Sequence, residues 1–566
     1  MKGRIRRIMY TYISVVMLFT IFIMQISLDI DAELNLVEEW IAWYEGPDID
    51  GDYVTKLAVD DHGNSYVTGV SRYHETGFDL VTVKYDTHGN LLWTARYSGP
   101  GNYDDYVHDL AIDPDGNVYI TGWTYEKTTN SDFVTIVYDT FGNELWIARY
   151  NSPQNYHEVP VAMTLGPSGN VYVTGFIGIE DSGPNCLTIA YDPLGNELWT
   201  ATYAGPNSIY DRAYDITVDS MDNVYIICYS REPGGDFYLT VKYDSEGNEQ
   251  WTAKFNGPLN YYYDWGTLIG VDSLGNVYVT GISQSEISNT DYVTVKYDPD
   301  GNQMWDAWFD GPGDKSYDYP KDMVVDSEGN VYVFGMSLAR NMSCYSTVVF
   351  DSDGNRKWAA HYDGEGDGFF DCYAIALHSS GNVFVTGSFW TLDSSCDYVT
   401  LAYDPEGNQI WYARFNSPYN SVDISQDIAV DPSGNVYVIG WSIKADGNNC
   451  DYVTIKYSPR STINAEIDID PDTLNLKSKG RWITCYIELP EGYNVNDIEI
   501  NKVMLEDMII AEWGDIQNDV LMVKFDRSEV EEMLMPGTYN LKVSGELTDG
   551  TQFEGYSDEI IVIDPP

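Results

Sequence analysis

Between residues 106 and 150 the chain passes through four short hydrophobic stretches, "YVHDLAID", "NVYITGWT", "FVTIVYD" and "LWIARY". Each is rich in Val, Ile, Tyr and Thr and is bounded by Gly, Asn, Asp or Pro. Runs of this length and composition, separated by turn residues, predict four strands joined in chain order as an antiparallel meander. Apolar or aromatic groups stand on both faces of each strand, so the resulting sheet has to be covered on both sides.

The unit recurs. Copies of the phrase "GNVYVTG" begin at Gly63, Gly116, Gly169, Asp222, Gly275, Gly329, Gly381 and Gly434, in steps of 53, 53, 53, 53, 54, 52 and 53 residues. A period this regular, one supersecondary unit per repeat, marks a repeat architecture. Sheets set radially, each packed on two neighbours, satisfy the demand for cover on both faces. The last copy is followed by "DYVTIKYS" but by no Trp-bearing fourth strand. A spare strand stands at the other end, where Trp40 to Pro47 matches Trp93 to Pro100. Adding it to the last sheet removes an open edge and ties the two ends of the array together. The expected fold is all-β: an eight-bladed β-propeller of four-stranded antiparallel blades closed by the N-terminal strand, spanning residues 33–460.

The motif at Asp431 to Gly440, "DPSGNVYVIG", with "DYVTIKY" at Asp451 to Tyr457, resembles the SBBP β-propeller repeat of secreted and surface proteins of bacteria and archaea. The resemblance covers about residues 36–459. It implies a secreted or surface propeller and lends little else, since such domains are mostly of unknown role or act as surface binding modules. The family pattern presumes seven blades, and this chain counts eight.

Turn chemistry accounts for part of the recurrence. Asp-x-x-Gly-Asn occurs twelve times, five times before a "VYVTG" strand and seven times before a Trp strand. The Asp carboxylate accepts N–H groups across such a turn, and Gly supplies the left-handed conformation it needs. Calcium is the one cofactor these loops suggest, at "DPDGN" of Asp113 to Asn117 and Asp298 to Asn302. They lack the later ligand and terminal Glu of an EF-type loop, so the hairpin reading is preferred and no cofactor is expected. The recurrent Trp40, Trp93, Trp146, Trp199, Trp251, Trp305, Trp358 and Trp411 read as packing between blades.

Charge and termini bear on location. With 88 acids against 31 Lys and Arg, a net charge of -57 repels phosphate backbones and argues against nucleic acid as a partner. Lys2, Arg4, Arg6 and Arg7 precede an uncharged stretch from Ile8 to Leu28, so residues 1–32 read as a signal peptide or membrane anchor, cleaved near Ala32 or retained. Either way the remainder is expected outside the cell or on its surface. Seven cysteines, without a CxxC pair, argue against both a disulfide framework and a zinc site. Asn341-Met342-Ser343 is a candidate glycan acceptor.

In a meander the tight clips fall on one face, and every long loop falls on the other, including "YEKTTNS", "REPGGD" and "GPLNYYYDWG". Binding is expected on that loop-bearing face. Eleven positions before each phrase stand Asp52, Asp105, Glu158, Asp211, Asp264, Asp318 and Asp423, with Asp371 one residue out of register. One reading has these acids ring the channel mouth and hold a cation or a hydroxyl-rich ligand, with Tyr53, Tyr106, Trp265 and Tyr319 beside them as stacking platforms. The other, preferred because the acids recur in every unit, has each carboxylate accept neighbouring N–H bonds and lock blade to blade.

No chemistry assembles elsewhere. The seven histidines lack metal spacing, and neither a Gly-x-Ser-x-Gly elbow nor a phosphate loop occurs. Residues 461–566 leave the repeat and alternate as a separate Ig-like β-sandwich, with a short helix at "SEVEEML" begun by a capping box at Ser528. The stretch from Thr473 to Ile500 is similar to a C-terminal module of secreted archaeal and bacterial proteins. The whole predicts a non-catalytic binding or scaffold protein engaging an envelope polysaccharide or surface protein through the long-loop face. The alternatives are a polysaccharide hydrolase or lyase at the channel mouth and a structural surface-layer component.

Overall fold

The computed structural model describes residues 36–564, apart from short stretches at 48–50, 180–182, 207, 259–263, 285–288, 313–315, 340–341, 365–367, 392–394, 445–448, 460–461, 491, 507, 518 and 549–550. Residues 1–32, expected to be a signal peptide or anchor, and Asn341 of the glycan triplet lie outside the described residues. Among the described residues no helix is long and apolar enough to cross a membrane. The chain divides into two compact units, one built on Glu38–Ser458 and one on the residues from Pro459 onward.

The first unit consists of four-stranded antiparallel blades. The sheet of Asp105–Ile112, Val118–Glu126, Asn130–Tyr138 and Glu144–Tyr150 is paired strand to strand in chain order, as the four hydrophobic stretches predict. Six sheets of this kind are separate. A seventh, of eight strands, is two such meanders joined at a single parallel pair, Thr290 with Tyr317. The first strands of successive sheets touch one another in turn, and Asp423–Val430 touches Asp52–Val59, so the innermost strands run round in a closed circle. The N-terminal strand Leu36–Tyr44 lies hydrogen-bonded beside Cys450–Pro459 and completes the last sheet.

Apolar residues on facing sheets interlock. Tyr66, Leu80 and Ala95 of one sheet pack with Leu110, Ile120, Val134 and Ile136 of the next, all buried. At the clip end, each blade is keyed to its neighbour by an indole. Trp40, Trp93, Trp146, Trp199, Trp251, Trp305 and Trp358 each donate Nε1–H to a carbonyl in the following clip, at 2.9–3.1 Å. The ring lies over the glycine of that clip. Gly89 sits at φ +79°, and a Cβ there would come within 2.7 Å of the Trp40 ring. Trp40 therefore reaches from the completed last sheet to Thr87 of the first, as the spare N-terminal strand requires.

All seven cysteines are buried free thiols. The second unit arranges its strands as three sheets, of five, four and three strands, around one core that includes Ile467, Cys485, Leu521, Phe525, Val543 and Val562. Its helix spans Arg527–Met533, and the cap is Asp526, whose side chain accepts the Ser528 N–H at 2.8 Å. Ser528 is thus inside the helix rather than its cap. Asp and Ser are equally suited to that role by chemistry, and Asp526 is the one that closes the strand Val520–Asp526 at the turn.

Truncating Trp40 removes an interlocking ring and its hydrogen bond where the two ends of the array meet. Trp40→Ala is expected to cost about 3 kcal/mol, read as a lower urea midpoint for the cooperative unfolding of the first unit.

Candidate functional site

The repeated turns are self-contained. In the first, Asp60 Oδ1 accepts the N–H groups of His62 and Asn64 at 3.0 and 2.9 Å, and Oδ2 accepts Asn64 Nδ2 at 2.8 Å. Asp113, in one "DPDGN" turn, likewise has Oδ1 taken by Asp115 and Asn117 N–H and Oδ2 by Asn117 Nδ2 and Tyr119 OH. Its oxygens are committed to the turn, as the hairpin reading requires.

Seven of the predicted acids, Asp52, Asp105, Glu158, Asp211, Asp264, Asp318 and Asp423, are buried rather than presented at the surface. Six of them accept a backbone N–H from the loop that brings the chain in from the preceding sheet: Asp52 from Gly46, Asp105 from Gly99, Asp211 from Gly205, Asp264 from Gly257, Asp318 from Gly311 and Asp423 from Ser417, at 2.6–2.9 Å. Glu158 is buried against Ser152. This is the locking arrangement: a carboxylate fastens the blade-to-blade loop to the start of the innermost strand.

Asp371 does not belong to the set. Cys372 pairs with Gly387 as Pro320 pairs with Gly335, so the residue equivalent to Asp318 is the buried Phe370. Asp371 takes the register of Tyr319, is exposed, and accepts Trp390 Nε1–H at 2.8 Å. Counting eleven residues back from Gly381 likewise gives Phe370, with Asp371 the next residue along the strand.

Burial sets the protonation of the locking acids. Desolvation raises Asp52 to about 6 and Asp105 and Glu158 to about 7, and it also raises Asp264, Asp318 and Asp423.

The aromatic candidates divide into groups. Tyr53, Trp265 and Tyr319 are each 39% exposed, and Tyr106 is half-buried. Tyr53 and Tyr106 are linked through Phe78 into a row of five rings, Trp441, Tyr53, Phe78, Tyr106 and Trp123, with successive centroids 5.5, 6.0, 6.1 and 4.7 Å apart. The row crosses three sheets on the loop-bearing side, and the exposed Arg72 lies 5.3 Å over Phe78. Trp265 belongs to a second group, against Tyr214 and Tyr229 at 5.5 and 5.6 Å.

Sequence reasoning missed a second set of acids. Each innermost strand carries a bulge, and directly after it every second sheet places an aspartate: Asp109, Asp215, Asp322 and Asp427. The sheets between place Lys56, Ala162, Leu268 and Ala374 at the same register. Each aspartate accepts its own following N–H through Oδ1 and an N–H of the next sheet through Oδ2. Asp109 thus holds Leu110 and Met163, Asp215 holds Ile216 and Ile269, and Asp322 holds Met323 and Ile375, at 2.7–3.0 Å. Asp427 holds Ile428 and Leu57, both at 3.0 Å, and so carries the linkage across the point where the circle closes. Lys56 faces all four. Asp427 foremost, then Asp109, Asp322 and Asp215, push its ammonium well above the ordinary lysine range, while burial raises Asp215 to about 7 and Asp322 to about 6. The signal is in the sequence as a two-repeat spacing of 106, 107 and 105 residues.

A carboxyl that is harder to ionise when folded binds its proton more tightly in the folded state. Its stabilising share is therefore present at low pH and lost as pH rises through the folded value. Asp105→Asn keeps an acceptor for Gly99 and carries no charge. It is expected to raise the melting temperature at about pH 8 and to leave it nearly unchanged at about pH 4, as thermal unfolding followed across that range would report.

Three stretches of the chain, residues 92–127, 250–287 and 410–448, match the family described as SBBP, a beta-propeller repeat. The chain is 22% identical over 563 residues to an uncharacterized WD repeat-containing protein of Acanthamoeba polyphaga mimivirus, covering 80% of this chain and 37% of that protein. It thus spans well under half the length of that relative. Among solved structures it is similar to the β-propeller domain of the Trilobed protease from Pyrococcus furiosus, at 9% identity, 62% of this chain, 95% of that chain and a TM-score of 0.37. It is also similar to a polysaccharide lyase, at 12% identity, 73% of this chain, 91% of that chain and a TM-score of 0.38. Three stretches of an all-β unit of four-stranded antiparallel blades thus match the SBBP beta-propeller repeat.

Proposed function

We propose that the protein is an extracellular or surface-held, non-catalytic binding module, and that its loop-bearing face holds a polysaccharide of the cell envelope. The row from Trp441 to Trp123 carries this reading. Five rings in continuous contact, with Tyr53 exposed and Arg72 at the edge, form an amphipathic strip on a rigid base, and sugar rings offer both an apolar face and hydroxyls to such a strip. The buried locking acids act as scaffold beneath it.

In this proposal the eight-stranded sheet counts as two blades, which makes the ring an eight-bladed propeller sealed by its N-terminal strand. The second unit is an Ig-like accessory module. Residues 1–32 direct the chain out of the cytoplasm, and the large negative charge keeps it soluble there.

A double variant, Tyr53→Ala with Trp441→Ala, is expected to bind envelope polysaccharide at least about tenfold more weakly than the parent in affinity electrophoresis or calorimetry. Asp105→Asn is expected to bind as the parent does. Equal binding by the double variant and the parent rejects the aromatic platform, and release of reducing or unsaturated sugar ends by the parent rejects the non-catalytic reading.

A further inference from the structure

At one junction an aromatic pair replaces the lock under the loops. In the sheets that hold Asp52, Asp211, Asp318 and Asp423, the buried acid stands opposite a serine of the second strand, Ser71, Ser230, Ser337 and Ser442 in turn. The sheet that begins with Gly368–Leu377 has Phe370 opposite Phe389 at that register. Its incoming loop keeps the glycine, with Gly364 two residues after Tyr362 as Gly311 is two after Phe309. Where Gly311 meets the Asp318 carboxylate, Gly364 meets the Phe370 ring, which would lie 2.8 Å from a Cβ at that position.

A cavity of about 470 Å³ opens between this sheet and the one before it. The groove between the outer strands Glu249–Phe255 and Gln303–Phe309 shows what the exchange changes. That groove is walled by Lys254, Gln303 and Trp308 of the outer strands and by the loop residues Gly257 and Pro258, and Asp264 holds Gly257 in place. At the Phe370 junction the cavity passes the loop and reaches Phe370, Phe389 and Val399, all buried on the inner three strands.

Its walls are aromatic and its mouth is polar. Tyr362 and Tyr412, from the outer strands of the two sheets, stand with ring centroids 5.9 Å apart, and Tyr412 is 41% exposed. Asp363, Gln409 and Arg414 line the same cavity. Arg414 is tied to the buried Asp397 through Nε at 2.6 Å and Nη2 at 2.5 Å, which leaves N–H groups of its fork to donate to a ligand.

These groups select by charge as well as by shape. Asp397 neutralises Arg414, and Asp363 adds a negative charge, so a carboxylate or phosphate is repelled. A quaternary ammonium meets the guanidinium that already lies 5.6 Å over Phe389. A neutral ring fits, with an apolar face for the tyrosines and hydroxyls that accept from Arg414 and donate to Asp363. We infer that the cavity between Tyr362 and Tyr412 holds one neutral pyranose unit, an end or side branch of a polysaccharide. The ligand class rests on the polysaccharide reading, whereas the site shares no residue with the aromatic row, which crosses three other sheets.

The test is saturation-transfer NMR of the full-length chain with methyl glucoside, methyl galactoside and methyl mannoside, and with methyl glucuronide and tetramethylammonium as charged probes. At least one neutral glycoside is expected to receive saturation from the parent, and the charged probes are expected to receive none. Tyr412→Ala removes an exposed ring and is expected to weaken glycoside binding at least about tenfold. Phe370→Asp with Phe389→Ser installs the acid and serine of the other sheets, so it is expected to close the cavity, bind no glycoside and unfold as cooperatively as the parent. A parent that binds no methyl glycoside overturns the pyranose site, whether or not it binds envelope polysaccharide. A Tyr412→Ala variant that binds as the parent does, or a charged probe that binds as well as the neutral ones, overturns it too. A parent that binds a methyl glycoside but no polysaccharide upholds this site and rejects the aromatic platform.

Discussion

A sheet with apolar side chains on both faces has no stable existence in water by itself, and every other feature of the repeat unit follows from that constraint. Tyr66, Ile120 and their equivalents can be buried only when another blade covers them, so the array has to continue until it meets its own beginning. The N-terminal strand Leu36–Tyr44, completing the sheet that ends with Cys450–Pro459, is the means of that meeting. Three sets of polar contacts then fix the spacing between blades at different depths. Indole N–H groups act at the clip end, the aspartates after the bulges act midway along the innermost strands, and the buried carboxylates act under the long loops.

The polar contacts divide the labour with the apolar ones. Burial is non-directional and would tolerate sliding of one blade against the next, whereas a carboxylate that holds an N–H on each of two sheets tolerates little. Such groups are costly to bury. The rise of Asp105, Glu158 and Asp215 to about 7 shows that their charge is only partly compensated at neutral pH. The protein keeps them where their hydrogen bonds specify register, and leaves the loop face above them free for an aromatic surface.

What was legible in the sequence is what repeats with every unit. The clips, the tryptophans and the seven buried acids under the loops occupy one position per repeat, so a single superposition of the copies reveals them. Asp109, Asp215, Asp322 and Asp427 recur only in every second copy, and reading all copies as equivalent averages them away against Lys56, Ala162, Leu268 and Ala374. Asp371 stands one residue past the repeat position, which Phe370 fills in the same register as Asp318, so an acid next to the position was read as a member of the set. The aromatic row was half visible. Tyr53 and Tyr106 share a repeat position, but Phe78 comes from a third strand and Trp123 and Trp441 from second strands, and only folding brings them into line.

The alternation of the bulge aspartates has an evolutionary corollary. A strand that reaches forward to grip its neighbour is always followed by one that is gripped, so the structural module is a tandem of two repeats, roughly twice the length that the recurring phrase suggests. A lineage that gained or lost a single repeat would leave two grippers or two gripped strands side by side, with a carboxylate or an amide unanswered at the hub. Parity, rather than size alone, is what such a circle has to preserve as it grows.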